Sequence, residues 1–120
     1  TPLKAWIDNI VREGKTYTFG EGRNAKRVYG LLHNKLVVLL QSSGSSGFHT
    51  GGSRESLNHA DKAVIAVFTE LGVHKFEKAS MEGVCEETDE TLERNWIQCE
   101  RRLAEIADRI KVRWRDQHRV

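Results

Sequence analysis

Residues 36–40 read Leu-Val-Val-Leu-Leu, an apolar run with no polar alternation, and this stretch constrains the fold most. A strand with one wet face alternates apolar and polar residues. An unbroken run fits a strand covered on both faces, as in a parallel sheet. The run enters QSSGSSGFHTGGS at 41–53, a segment dominated by Ser and Gly. Such a loop is either a solvated connector or a backbone that a ligand can approach closely.

The flanking sequence reads as helices. Thr1 suits a cap and Pro2 the first helical turn, where a missing N–H costs nothing. Leu3, Trp6, Ile7, Ile10 and Val11 then make one apolar face, and Gly14 is a natural stop. Tyr17 and Phe19 alternate with Thr16 and Thr18, as in a short extended piece. Residues 20–27 are polar, basic and glycine-bearing, and read as a surface loop. Helical spacing returns over 58–71 through Ala63, Val64, Val67, Phe68 and Leu71, with Gly72 as the stop. Residues 73–80 (VHKFEKAS) read as a second, less apolar strand at a sheet edge. Thr88 or Asp89 caps a last helix with apolar positions Leu92, Trp96, Cys99, Leu103, Ile106 and Ile110. That spacing fits packing on a sheet and also a coiled-coil seam, with sheet packing preferred. Trp6 and Trp96 are read as core. Residues 111–120 form a polar tail expected to fray.

The order is helix, strand, helix, strand, helix, which signals right-handed βαβ units in an α/β fold. Two strands and three amphipathic helices leave a strand edge and apolar faces uncovered. The chain therefore reads as half of a doubly wound domain, and residues 1–120 as a portion of a single one. A lone monomer of this chain is expected to be poorly stable.

Bulk properties narrow the function classes. A net charge of +2 carries no global basic field, so nucleic acid is not an expected partner. Arg113, Arg115 and Arg119 around Trp114 are too few to change that. No stretch has the roughly 18 uninterrupted apolar residues of a membrane span. The first residues lack the pattern of a signal peptide, and their missing Met hints at a processed or cut chain. Cys85 and Cys99 do not make a disulfide framework, so a cytoplasmic location is expected. The histidines and cysteines show no metal-ligand spacing.

Three chemistries can use a Ser/Gly loop after a strand. A phosphate-binding P-loop fails, because Ser53 and Arg54 stand where Lys and then Ser or Thr are required. A nucleophile elbow fails, because Phe48 stands where its second Gly should be. A ligand-facing loop at the carboxyl end of a parallel strand remains, beside the plain connector. The basic cluster Arg23, Lys26 and Arg27 with Tyr29 reads mainly as a solvated loop.

Four stretches carry a family resemblance: LKAWIDNIVREGKTY at 3–17, LVVLLQSSG at 36–44, FTELGV at 68–73 and MEGV at 81–84. They resemble the flavodoxin-like FMN-dependent NAD(P)H oxidoreductases, and most closely the FMN-dependent NADH-azoreductases, which are also quinone reductases. The resemblance runs to about residue 110. It implies a flavodoxin-like doubly wound parallel sheet of which this chain is the C-terminal half. The first helix here would be the family's third, and the two strands its fourth and fifth. The first three strands and two helices, with the loop that grips the FMN phosphate, would fall outside this chain.

The resemblance places Gln41, Ser42, Ser43, Gly44 and Ser45 against the pyrimidine side of the flavin. Phe48 and His49 are weaker candidates for the substrate side. Ser45 replaces the family's second glycine, and the usual glycine-proline ending of the loop is missing. The implied chemistry is hydride transfer from NADH or NADPH through FMN to a quinone or azo compound, with no catalytic acid or base. The implied assembly is a homodimer that includes the missing N-terminal half. The alternative is a non-catalytic half-domain that pairs through its exposed strand edge and helix faces.

Overall fold

The computed structural model describes residues 1–119 and orders them as α1 (Pro2–Ile10), β1 (Tyr17–Phe19), β2 (Val28–Gly30), β3 (Leu36–Ser42), α2 (Ala60–Glu70), β4 (Lys75–Met81) and α3 (Asp89–Gln117). Two single 3₁₀ turns lie at Gly22–Asn24 and Glu55–Leu57. β3 and β4 form a parallel pair, joined by the α2 crossover. This is the flavodoxin-like strand, helix, strand order expected for residues 36–81. The chain divides into two compact units, Thr1–Val37 with His59–Phe76, and Val38–Asn58 with the residues from 77 onward.

The first unit is held by apolar packing and close backbone approach. The Thr1 hydroxyl accepts from the Lys4 amide and opens α1. The helix ends at Ile10, ahead of Gly14, because Thr16 closes it. The Thr16 hydroxyl donates to the Ile10 carbonyl at 2.7 Å and accepts from the Arg12 amide at 3.0 Å. Gly14 instead serves the turn into β1, with φ +74°. β1 pairs antiparallel with β2, Tyr17 opposite Gly30 and Phe19 opposite Val28. The residues before β2 are a loop as expected, but β2 itself is not foreseen from sequence. Three residues carry too little periodicity to show a strand. Gly30 is required, because a Cβ there would run into the backbone of Leu71 and Gly72.

α2 ends in a Schellman motif. The Gly72 amide donates to the Thr69 carbonyl, and the Val73 amide to that of Phe68. Gly72 takes φ +100°, which suits glycine alone. This cap consumes Val73, so β4 starts at Lys75 and not at Val73. Val64, Phe68, Leu71 and Val73 are buried here, and Trp6 lies 6.1 Å from the Phe68 ring, centroid to centroid. Trp6 is nonetheless 53% exposed, so it borders this core and is not inside it.

The second unit has less apolar burial. Ala79 and Ile106 are its buried hydrophobic residues among those described. Glu77 clamps α3 to β4. It binds Arg109 through both carboxylate oxygens at 2.6 and 3.1 Å, and Arg102 at 2.9 Å. Arg102 also donates to the Lys78 carbonyl at 3.0 Å. Trp96 is 51% exposed, which corrects its reading as core. Ile106 turns inward beside the half-buried Cys99, while Trp96, Leu103 and Ile110 lie on an exposed flank. Arg102 and Arg109 reach from α3 to Glu77 on β4 while staying partly in solvent. The tail is also corrected. α3 continues through Gln117, and His118 stacks on Trp114 at 4.4 Å. Val120 lies outside the described residues.

Candidate functional site

β3 carries Gln41 and Ser42 at its carboxyl end, and Ser43, Gly44 and Ser45 follow directly. These three do not dangle. The Ser43 amide donates to the Met81 carbonyl at 3.0 Å. In return the amides of Val84, Cys85 and Gly83 donate to the carbonyls of Ser43, Gly44 and Ser45 at 3.0 to 3.1 Å. The Ser43 hydroxyl donates to the Ser45 carbonyl at 2.8 Å. Gly44 packs against Cys85, where an added Cβ would lie 3.2 Å from the sulfur. The carbonyls of 43–45 are thus spent on the segment after β4. The amides of Gly44 and Ser45 make no hydrogen bond among the described residues. What this stretch can still offer a ligand is two N–H donors and the exposed Ser42 side chain.

The next three amides point to carboxylates. Ser46 donates to Glu86 at 3.1 Å. Gly47 and Phe48 donate to one oxygen of Glu82 at 2.9 and 3.2 Å. The His49 ring meets the same oxygen through Nδ1 at 3.1 Å. Arg54 donates to the Ser46 carbonyl at 2.9 Å and pairs with Glu86 at 3.3 Å. Asn58 donates to the Phe48 carbonyl at 3.2 Å. Gly47 takes φ +94°, and a Cβ on Gly52 would run into the Gly47 carbonyl. The Ser/Gly composition therefore marks close backbone approach and not slack chain.

Both carboxyls respond to these partners. Burial alone raises the Glu82 carboxyl, but the His49 ring and the Gly47 and Phe48 amides outweigh it, so it sits below the usual carboxylate value. Glu86 is lowered first by the Ser45 side chain, then by the Ser46 amide and Arg54. With amides 46–48 occupied by the protein's own anions, this loop is not a phosphate cradle. That agrees with the missing P-loop lysine. Phe48 is half-buried. His49 is exposed and borders an open cleft of about 760 Å³, whose α3 side carries Asn95, Gln98, Cys99 and Arg102.

The structure thus brings residues 43–45 together with 81–85. Glu82, Glu86 and Arg54 are residues that sequence reasoning did not assign to the site. A signal was present in MEGVCEE, which places acids directly after the strand that pairs with β3. Its meaning depends on a contact more than 30 residues away.

Comparison with known proteins agrees with this architecture. The family described as flavodoxin-like fold matches residues 1–103. An FMN-dependent NADH:quinone oxidoreductase 1 of Pseudomonas fluorescens is 33% identical over 105 residues, covering 88% of this chain and 49% of that protein. An FMN-dependent NAD(P)H:quinone oxidoreductase 1 of Pseudomonas aeruginosa is 32% identical with the same coverage. An FMN-dependent NADH:quinone oxidoreductase 2 of Colwellia psychrerythraea is 39% identical over 74 residues, covering 62% of this chain and 34% of that protein. The crystal structure of azoreductase from Bacillus anthracis superposes with a TM-score of 0.74 at 22% identity, over 89% of this chain and 48% of that one, and so shares the fold. The chain spans about half the length of the first two reductases.

Proposed function

We propose, from the premise that this chain belongs to the family of the flavodoxin-like fold, that it is one half of an FMN-dependent NAD(P)H oxidoreductase acting on quinones or azo compounds. The observation that carries this reading is the pair of unspent amides at Gly44 and Ser45, at the carboxyl end of β3. Open α/β sheets bind ligands at that end. Two N–H donors on a glycine-bearing turn suit the carbonyl-rich edge of a flat ring, such as the pyrimidine side of a flavin. When bound, FMN supplies hydride chemistry, accepting from NADH or NADPH and passing on to the acceptor.

The chain's own residues bind and orient. Gly44 and Ser45 donate toward the ring edge, with Gln41 and Ser42 beside them, and Phe48 and His49 face the acceptor side. No acid or base of this chain is assigned to the chemistry. With the amides of Ser46, Gly47 and Phe48 taken by Glu86 and Glu82, this loop is not assigned to the FMN phosphate. A homodimer in the cytoplasm completes the reading.

The test is to load the whole protein carrying this chain with FMN and measure NADH and NADPH oxidation with quinone and azo acceptors. Turnover is the expected result, with FMN shifting the Gly44 and Ser45 amide resonances. No oxidation with any acceptor overturns the reading.

One observation favours a second reading, a flavin-free half-domain that self-associates. Trp96, Leu103, Ile110 and Trp114 are exposed along one side of α3. A native mass spectrum separates the two. A longer or companion chain carrying FMN supports the reductase. A 13.7 kDa chain without flavin, paired with itself, supports the half-domain.

A further inference from the structure

We infer that Glu82 is a positioning residue for the Ser/Gly loop: its carboxylate fills an anion-binding turn made by the protein's own backbone and so holds Gly44 and Ser45 in place to meet the ring edge. This rests on the flavin reading of those two residues. Three successive amides, Ser46, Gly47 and Phe48, converge on carboxylates. Successive N–H groups turned to one side form a nest, the backbone device that elsewhere binds phosphate. Here the anion comes from the same chain. A single Glu82 oxygen accepts from Gly47, Phe48 and the His49 ring, and its side chain is only 18% exposed.

The surrounding glycines serve that fit. Gly47 needs its left-handed φ to turn its amide inward, and a side chain there would also press on the Ser53 hydroxyl. Gly83, with φ +76°, lets the chain turn immediately after Glu82. The Gly83 amide then donates to the Ser45 carbonyl, so Glu82 and the backbone beside it hold both ends of residues 45–48. The effect of Glu82 on flavin passes through the loop.

The experiment replaces Glu82 by Ala in the whole protein carrying this chain and adds formate, a carboxylate small enough to refill the nest. Amide exchange at Gly47 and Phe48 is expected to speed up at least about tenfold, and FMN affinity to fall about tenfold, because charge-assisted hydrogen bonds are lost. Formate should restore both saturably, while acetamide, which is uncharged, should not. A role limited to fold stability predicts no carboxylate-specific rescue. Unchanged exchange and affinity in Glu82→Ala overturn the inference, as does a loss that formate leaves untouched. If Glu82→Ala does not fold, Glu82→Gln serves. It keeps an acceptor oxygen without the charge and should show a smaller loss of the same kind, and wild-type values in it count against the carboxylate. The flavin reading is judged separately. If FMN leaves the wild-type Gly44 and Ser45 amides unshifted, that reading fails, while exchange at Gly47 and Phe48 still decides what Glu82 does.

Discussion

The two units of this chain are held together by different physics. In the first, Val64, Phe68, Leu71 and Val73 are buried and Trp6 borders Phe68. In the second, buried hydrophobic side chains are few, and charge does much of the fastening. Glu77 bridges two arginines, while Glu82 and Glu86 hold a loop. Apolar burial depends weakly on salt and pH. Charge-assisted contacts depend on both. The loop proposed to meet the flavin edge belongs to the unit fastened by charge. A site there is ordered by hydrogen bonds of defined direction, which fix where each amide points more sharply than apolar contact does.

The largest expected effect lies in the apolar unit. Phe68→Ala removes a buried ring and leaves a cavity beside Val64 and Leu71, at a cost of about 3 kcal/mol or more. The loss should be nearly the same at low and high salt, measured from urea unfolding midpoints. A strong salt dependence would break the contrast between the units. A smaller effect is expected at the start of α3. The Thr88 hydroxyl accepts from the Thr91 amide at 3.3 Å, with Asp89 and Glu90 in the first turn to suit the helix dipole. Thr88→Ala should cost about 1 kcal/mol. Amide exchange should localise that loss to the first turn of α3, one wall of the 760 Å³ cleft.

How much of this was legible in the sequence follows the same divide. The alternation of helices and strands was readable because burial imposes a period. Leu36 to Leu40 announced a strand and Ala63 to Leu71 a helix with one apolar side, but the expected cover on both faces of the strand is not found, since no residue of β3 is buried and Leu40 is 66% exposed. The end of α2 was readable because Gly72 alone tolerates the backbone needed there. The hairpin was not, since Val28 to Gly30 is too short to show a period and is fixed by Gly30 meeting Leu71. Trp96 was misread because α3 reaches Glu77 through arginines, which a hydrophobic count does not foresee. That a Ser/Gly loop follows the strand was legible, because the apolar run stops at Gln41 and β3 ends at Ser42. Its filling by Glu82 and Glu86 was not foreseen, because charge pairing has no period and its partners lie over 30 residues apart.

The smallest expected effect also tests the comparison most directly. Glu77 is held below the usual carboxylate range, first by its hydrogen bond to Arg109, against the cost of burial, and further by Arg102. A lowered carboxyl stabilises the fold above the unfolded value, near 4.5, and loses that contribution as pH falls through the lower folded value. Glu77→Gln should therefore destabilise the chain near neutral pH by less than either substitution above. The difference from wild type should shrink in high salt, because all three side chains reach solvent. It should shrink again on acidification below 4.5, where the wild-type carboxylate takes up its proton. Urea midpoints of the two proteins across that window decide the matter. Converging midpoints place the clamp in charge pairing, as in the loop beside it. Parallel curves at every pH and salt concentration would mean that packing of the side chain around Arg102 and Arg109 does the fastening, and that the two units differ less than their contacts imply.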